Sequence, residues 1–373
     1  MTRTLLLIAG AAGVVLMVII MGAFVQSMAA TMRSTGEERN AIILGLGSED
    51  FMEQSEISAA VPSIAAAAID TIERVNGRAL MSPEILHSAM INLPGQNVEE
   101  QTDAHKILVR GVLPDAFRVH PQVSIVEGDL PGPGEILVGG LASTRLNIPE
   151  SELAVGKKLL FENREWTISG RFNAAGTAFD AEIWCQLEDL KIQVKRDTYS
   201  CVVVRLESAE AFSDVDFFVK SRLNLELAAV PEVSYYEGLA KFFRPVQVMG
   251  WVMAGLIVVS GLFGGLNVMV ASIAGRTHEL ACLEVLGFRR GAILLSLFQE
   301  VLLQVGTGTL IAIGLAVTLL GGMAVRFTMG AVELQITPQV LAAGVGVGLL
   351  LAITGTLVAG LRHFKRSLLD QLR

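Results

Sequence analysis

Four long apolar segments constrain this chain more than any other feature. They are Leu5–Val25, Val246–Ile273, Ala292–Leu320 and Val340–Leu361. A helix needs roughly 20 apolar residues to cross the ~30 Å hydrocarbon core of a bilayer, and each segment is long enough. The whole chain is 52% hydrophobic and only 18% charged, which is too apolar for a single water-soluble domain. The sequence therefore predicts an α-helical membrane protein with four transmembrane helices.

The first segment has an alternative interpretation as a cleavable signal peptide, because Ser27, Met28 and Ala29 offer small residues near its end. Its apolar core is longer than the usual core of about 7–15 residues, which favours a retained anchor. We therefore expect residues 1–29 to form the first transmembrane helix.

Residues 30–243 have the polarity of a soluble domain, and residues 244–373 contain the other three apolar segments. Short β-like runs separated by turns predict a large α+β domain with a mostly antiparallel sheet. The predicted strands are Arg39–Leu46, Lys106–Val112, Gln122–Val126, Glu135–Val138, Lys158–Phe161, Trp166–Phe172, Ala181–Cys185 and Cys201–Leu206. The predicted helices are Ser55–Val75, Leu141–Leu146 and Ala209–Leu227.

Basic residues predict the orientation, because cytoplasmic ends and loops of membrane proteins are enriched in Lys and Arg. These residues are Arg3, Arg276, Arg289, Arg290, Arg362, Lys365, Arg366 and Arg373. We expect both termini and the 274–291 loop to be cytoplasmic, with residues 30–243 outside. Tyr235, Tyr236, Phe242, Phe243 and Trp251 are expected to form an aromatic belt at the outer interface.

The loop between the second and third apolar segments, AGRTHELACLEVLGFRRG, can form a short helix over 276–287. Leu280, Leu283 and Leu286 recur every three residues and share one side. Thr277 is expected to cap its start, Glu279 suits the first turn, and Gly287 is a typical C-terminal stop. The loop is either an ordinary membrane-surface helix or a helix that receives a push from a cytoplasmic partner.

The same loop resembles the signature loop of FtsX/MacB-like ABC transporter permeases, which reads R-T-x-E-[IL], a short apolar helix, and L-G-x-x-R-R. The matching residues are Arg276, Thr277, Glu279, Leu280, Leu286, Gly287, Arg289 and Arg290. The family usually has a basic residue where this chain has Glu284. In that family this loop is the coupling helix, which sits in a groove of the ATPase subunit. The resemblance therefore assigns Leu283 and Glu284 to the same coupling region.

The segment after residue 105 resembles the extracytoplasmic domain of MacB-like permeases. The shared pattern is an E-G opening, a G-E-[IV]-x-[VL]-G step, a V-G step and a V-x-G-x-F strand. The matching residues are Glu127, Gly128, Gly134, Glu135, Gly139, Gly156, Gly170 and Phe172. They suit turns and bulges, and we assign none of them to a binding site.

The resemblance implies a permease subunit of the bacterial inner membrane that couples ATP hydrolysis by a separate ATPase to work on the periplasmic side. The substrate would be a lipophilic molecule, a peptide or a lipoprotein. The chain has no G-x-x-x-x-G-K-[ST] motif, so ATP and Mg would be bound by the partner ATPase. A second permease and a membrane-fusion or other periplasmic protein are further expected partners. The alternative is an FtsX-type regulator that activates a periplasmic enzyme without transport.

An enzyme has no support in the sequence, because none of the five histidines accompanies a nucleophile or a ligand cluster. The net charge of −8 argues against nucleic acid as a partner. The three cysteines lack the paired spacing of a metal site, and we predict none.

Two further groups of polar residues stand out. Gln299, Glu300 and Gln304 lie in the third apolar segment, where a carboxylate is costly unless it is paired. We expect Glu300 to pair with a basic residue of the C-terminal tail, and a role in a proton or substrate path is the alternative. Cys185 and Cys201 could form a disulfide in an extracytoplasmic domain, or remain two buried thiols in neighbouring strands.

Overall fold

The computed structural model describes residues 2–94, 105–327 and 330–364. The chain divides into two compact units. The membrane unit comprises Met1–Ser27, Arg244–Met323 and Leu334–Arg373, and the outer unit comprises Met28–Phe243 and Ala324–Glu333. The basic tail residues Lys365, Arg366 and Arg373 lie outside the described residues.

The membrane unit contains the four long helices that the apolar segments predict. These are α1 (Thr2–Thr35), α8 (Arg244–Ala274), α10 (Arg290–Leu315) with a π-helical extension over Ala316–Leu320, and α11 (Pro338–Phe364). Each is long and apolar enough to cross a bilayer, with mean hydropathy of 2.7, 2.1, 1.9 and 2.1 over its best window. The prediction of four transmembrane helices is confirmed. The first helix continues to Thr35, beyond the expected end at residue 29.

Glycines allow close packing between these helices at selected points. A Cβ atom added to Gly261 would lie 2.4 Å from Val14 Cγ2, so only glycine fits there without a shift. Gly261 and Gly265 form a G-x-x-x-G motif, but a Cβ atom at Gly265 would meet open space, so only Gly261 of this pair is in close contact.

The outer unit is built around a mixed sheet. Its path is β12-β1-β11-β4-β5-β10-β7-β9-β6, and β8 pairs with β9 beside β6. The strands are β1 (Asn40–Gly45), β4 (Met81–Met90), β5 (Lys106–Val112), β6 (Ser124–Gly128), β7 (Glu135–Gly139), β8 (Lys158–Phe161), β9 (Arg164–Asn173), β10 (Glu182–Gln186), β11 (Cys201–Arg205) and β12 (Leu227–Pro231). Neighbouring strands are antiparallel except for β5 with β10 and β7 with β9. The predicted α+β class with a mostly antiparallel sheet is confirmed.

Short helices cover both faces of this sheet. They are α2 (Val61–Ala68), α3 (Ala116–Val119), α4 (Ala142–Leu146), α5 (Leu187–Gln193), α6 (Phe212–Ser221) and α7 (Glu232–Phe242). Every residue of β1 is buried, and successive residues face opposite sides of the sheet. Ile42 and Leu44 pack into the hydrophobic core on one side, and Ala41 and Ile43 pack into the core on the other. A strand covered on both faces favours a continuous apolar run, which here is Ala41–Leu44, whereas the buried amide of Asn40 donates hydrogen bonds.

Two predicted helices are shorter than expected. The region 55–75 contains only α2 and then a small hairpin of β2 (Arg74–Val75) and β3 (Arg78–Ala79). Asn76 and Gly77 have φ values of 52° and 77°, so the Asn-Gly pair forms a hairpin turn instead of ending a long helix. The region 209–227 contains α6 but then leads into the edge strand β12, and β4 was not predicted at all.

The loop between the third and fourth long helices forms secondary structure of its own. It contains a hairpin of β13 (Ala324–Phe327) and β14 (Gly330–Glu333), and the chain clusters with the outer unit there. Ala331 and Val332 are each only 1% exposed. The hairpin is therefore part of the core of the outer unit.

The expected aromatic belt is wrong for three of its five members. Tyr235 and Tyr236 are buried in the outer unit's core, where the Tyr235 hydroxyl accepts a hydrogen bond from the Met52 N–H. Phe243 is also buried, and only Phe242 and Trp251 are exposed.

The possible disulfide between Cys185 and Cys201 is absent, since both are free buried thiols. They are not in neighbouring strands, because β4 and β5 lie between β10 and β11. Three strand spacings of about 4.8 Å exceed the Cα separation of about 7 Å that a disulfide allows.

Candidate functional site

The predicted coupling loop of the membrane unit forms a short helix, α9, over Thr277–Val285. Leu280 is 4% exposed and Ala281 is 0% exposed, so this side of the helix packs inward. The inward side explains why the helix is stable at only nine residues, a length at which isolated helices are marginal.

Arg276 fixes the start of α9 by contacting two carboxylates. Its Nε donates to Glu279 Oε2 at 2.9 Å, and its Nη1 donates to Glu300 Oε2 at 2.9 Å. Glu279 lies in the first turn of α9, whereas Glu300 lies on α10. One guanidinium therefore ties the start of the loop helix to the third long helix.

These contacts correct the prediction that Thr277 caps the start of α9. Arg276 occupies the N-cap position, and Thr277 Oγ1 instead donates to the Ala274 carbonyl at 3.0 Å. Glu300 pairs with Arg276, and the basic tail residues expected to pair with it lie outside the side chains that the structure describes. Gln304 Nε2 approaches the other oxygen of Glu300 at 3.4 Å, and Gln299 is exposed.

The outward side of α9 and its exit carry apolar side chains. Leu283 is 36% exposed, Val285 67%, Leu286 74% and Phe288 55%. Leu280 is buried, so the three predicted leucines do not share one exposed side. Val285 and Phe288 were not among the predicted coupling residues, although the position of Phe288 between Gly287 and Arg289 was a usable signal.

Gly287 ends α9 as the sequence predicts. Its φ is +92°, and its N–H donates to the Glu284 carbonyl at 3.0 Å while Phe288 N–H donates to the Leu283 carbonyl at 3.1 Å. This pair of hydrogen bonds is the Schellman arrangement, which places glycine at the left-handed position. Arg289 then forms the N-cap of α10.

Glu284, where the family usually has a basic residue, faces Arg290. Glu284 Oε1 lies 3.4 Å from Arg290 Nε, and its side chain is only 7% exposed. The carboxylate therefore contributes little charge to the outward surface of α9, which consists mainly of apolar side chains.

The outer unit contains a second cluster of polar residues, buried between β4, β5, β10 and α7. Arg110 Nε and Nη2 donate to the two oxygens of Glu182 at 2.7 and 2.8 Å, and Nη1 donates to Glu84. The Trp184 indole N–H also donates to Glu182, at 2.9 Å. Burial alone would raise the pKa of the Glu84 carboxyl, but Arg110 and His120 lower it to about 2.

His120 completes this cluster. Its Nε2 lies 2.9 Å from Glu84 Oε1, and its Nδ1 lies 3.5 Å from Glu232 Oε1. The ring also packs edge-on against Phe179 and Trp184. The members of this cluster are far apart in the chain, so no local sequence pattern predicts it. Over residues 2–94, 105–327 and 330–364, no group of His, Cys, Asp or Glu side chains has the arrangement of a metal site.

Comparison with known families supplies the class of protein. Residues 4–220 match the model of the MacB-like periplasmic core domain, and residues 251–368 match that of the FtsX-like permease C-terminal domain. The chain therefore belongs to the FtsX/MacB-like family of ABC transporter permeases. Such permeases are generally non-catalytic membrane subunits, and membership implies a cytoplasmic ABC ATPase as partner.

Solved structures include similar outer domains. The periplasmic region of MacB from Actinobacillus actinomycetemcomitans is 10% identical, with a TM-score of 0.41, covering 57% of this chain and 97% of that one. The extracellular domain of the noncanonic ABC-type transporter YknZ from Gram-positive bacteria is 12% identical, with a TM-score of 0.37, covering 51% of this chain and 99% of that one. No curated protein sequence is significantly similar to this chain.

Proposed function

We propose that this permease transmits ATP-driven motion from a separate ATPase through α9 to the outer unit. There it would perform mechanical work on a lipophilic, peptide or lipoprotein substrate. ATP and Mg would be bound by the ATPase and not by this chain. The bracing of α9 by Arg276 is the observation that carries this proposal, because a helix that transmits force must be fixed to the element that it moves.

The outward apolar residues support α9 as the docking element. Leu283, Leu286 and Phe288 are exposed beside charged residues, and the preceding Arg276 is held in place by two carboxylates. Apolar side chains at the centre of a contact surrounded by charged residues are typical of protein interfaces. We propose that this surface of α9 docks into a groove of the ATPase subunit.

The test is a double variant, Leu283→Asp with Leu286→Asp, in the full chain. We expect it to abolish stimulation of the partner ATPase and co-purification with it, while membrane insertion is retained. The control is Ile192→Asp, which changes an equally apolar residue that is 71% exposed in the outer unit. Unchanged ATPase stimulation in the double variant would overturn the assignment of α9.

We further propose that the permease works as a pair in the bacterial inner membrane, with both termini and α9 in the cytoplasm. Cys282 is exposed on α9, so labelling of its thiol tests this orientation. A membrane-impermeant maleimide should label it only after the cytoplasmic side is opened. Labelling from the periplasmic side of intact cells would contradict the orientation.

A pull-down of the tagged chain from mild detergent separates transport from regulation. We expect an ABC ATPase, a second permease and a membrane-fusion or other periplasmic protein. A cell-wall hydrolase or similar enzyme in place of a transport partner would instead favour an FtsX-type regulator.

A further inference from the structure

His120 is a buried titratable residue that the proposed coupling mechanism does not use. Its side chain is 1% exposed and lies between two carboxylates from different elements, Glu84 on β4 and Glu232 on α7. The contact with Glu84 has hydrogen-bond distance, whereas Nδ1 forms no hydrogen bond with Glu232 at 3.5 Å. The contact of His120 with Glu232 is therefore weaker than its contact with Glu84.

Glu232 holds together two of the chain segments that join the outer unit to long helices. It is the first residue of α7, which leads directly into α8. Its Oε2 accepts the Glu37 N–H at 3.0 Å and Asn40 Nδ2 at 2.9 Å, just beyond the end of α1. One carboxylate thus connects the beginning of α7 with the segment that follows α1.

The charges around His120 favour its protonated form. Glu84, Glu232 and Arg110 face it, and Glu182 pairs with Arg110 on the far side. Without a proton on His120, three buried carboxylates would face one guanidinium. Removing a partner from a buried group of charges is strongly unfavourable, and the imidazolium offsets one of the two negative charges that Arg110 leaves uncompensated.

The pKa directions agree with this charge balance. Burial by itself lowers the pKa of His120, but Glu84 and Glu232 outweigh it and raise that pKa above its usual value. Burial raises the pKa of the Glu232 carboxyl, with partial compensation by His120. Both groups therefore hold a proton more tightly when folded, and the stability that they contribute is lost as pH rises through their folded-state pKa values.

Space around α7 would allow it to move. A cavity of about 310 Å³ and another of about 260 Å³ lie against this helix, and Tyr235, Leu239 and Phe243 line both. Incomplete packing lowers the free energy that holds a helix in one position. The polar contacts of Glu232 therefore contribute a larger share of the free energy that holds α7 in position than they would in a fully packed core.

We propose that His120 and Glu232 form a proton-controlled latch that holds the start of α7 in the outer unit. Loss of the His120 proton leaves Glu84 with Arg110 as its charged partner but removes the charge that faces Glu232, and the start of α7 is released. The consequence for transmission rests on the proposed function: with α7 released, motion of α8 would reach the outer unit less effectively. The latch itself is a property of this chain alone.

The test is hydrogen–deuterium exchange of the full detergent-solubilised chain between about pH 5.5 and about pH 9, a range that spans ordinary histidine titration. After correction for intrinsic exchange, we expect α7 peptides to lose protection as pH rises. The loss should be roughly tenfold for each unit by which the folded-state pKa of His120 exceeds its usual value. Protection of α7 that does not change with pH would overturn the latch.

Two variants and a control make the assignment specific. His120→Gln should reduce α7 protection at every pH and remove its pH dependence. Glu232→Gln removes the charge that His120 balances, so α7 should stay protected at high pH. If the histidine variant does not fold, this variant alone tests the latch. His87→Gln, at a half-exposed pair with Glu162, should behave as wild type.

Wild-type pH dependence in Glu232→Gln would overturn the latch. These measurements need no ATPase, so their failure is distinct from failure of the coupling assignment, which the α9 double variant reports.

Discussion

Arg276 Nη1 lies 2.9 Å from Glu300 Oε2, joining the start of α9 to α10 across 24 residues of chain. The two side chains are 44% and 45% exposed, so water screens the pair and its contribution to global stability is about 0–1 kcal/mol. The same energy is sufficient to change the population of a correctly placed helix by up to about fivefold. The pair therefore positions α9 without governing the folding of the chain.

Glu300→Gln should lower stimulation of the partner ATPase up to about fivefold and leave the thermal unfolding midpoint nearly unchanged. The reason is that Arg276 loses its charged partner on α10 but keeps Glu279. The measurement is ATPase activity of the reconstituted complex. Gln299→Ala, at the exposed neighbouring position, is the control and should retain full stimulation.

Gly287→Ala should shorten α9 at its C-terminal end. A φ of +92° is unfavourable for alanine by roughly 1–2 kcal/mol, although open space surrounds the position. Hydrogen exchange of the α9 exit should therefore accelerate by about fivefold or more. Gly291→Ala is the matched control: it lies in α10, also faces open space, and should have no such effect. Equal exchange in both variants would contradict the Schellman ending.

Arg110→Met should destabilise the outer unit by about 3–5 kcal/mol, since Glu84 and Glu182 would be left buried without their common partner. The measurement is chemical unfolding followed by the fluorescence of Trp184, which lies in this cluster. Lys158→Met breaks an exposed pair with Glu165, and we expect a change below about 1 kcal/mol. Similar losses for the two variants would show that the buried cluster has no special role.

Acid should weaken the outer unit through Glu84. Because the folded-state pKa is about 2, below the ordinary value of 4.5, its contribution is present above pH 4.5 and is lost as pH falls towards 2. The loss should be roughly 2–4 kcal/mol. Unfolding free energies measured between about pH 6 and about pH 3 should fall less steeply in Glu84→Gln, even though that variant is less stable overall. Glu165→Gln, at an exposed pair, should follow the wild-type slope.

Cys185 and Cys201 should resist alkylation in the folded protein. Burial raises the pKa of both thiols, so neither forms the reactive thiolate near neutral pH. Only the exposed Cys282 should react with a maleimide before unfolding, and all three should react afterwards. A reducing agent should leave the unfolding midpoint unchanged, whereas a lower midpoint would indicate a disulfide.

The sequence by itself determined the four long helices, the class of the outer domain and the ending of α9. Each depends on local information: continuous apolar length, alternating apolar residues, or a glycine after the last helical turn. The Asn76–Gly77 turn was also local, but a helical interpretation of the preceding alanines outweighed it.

Tertiary structure decided which residues act together. Arg276 pairs with Glu300 on another helix, and His120 lies between Glu84 and Glu232. Two strands separate the strand of Cys185 from that of Cys201. Partners of this kind are distant in the chain, and their meeting depends on strand order and helix packing. Periodicity and turn chemistry act over a few residues, so they cannot specify such contacts.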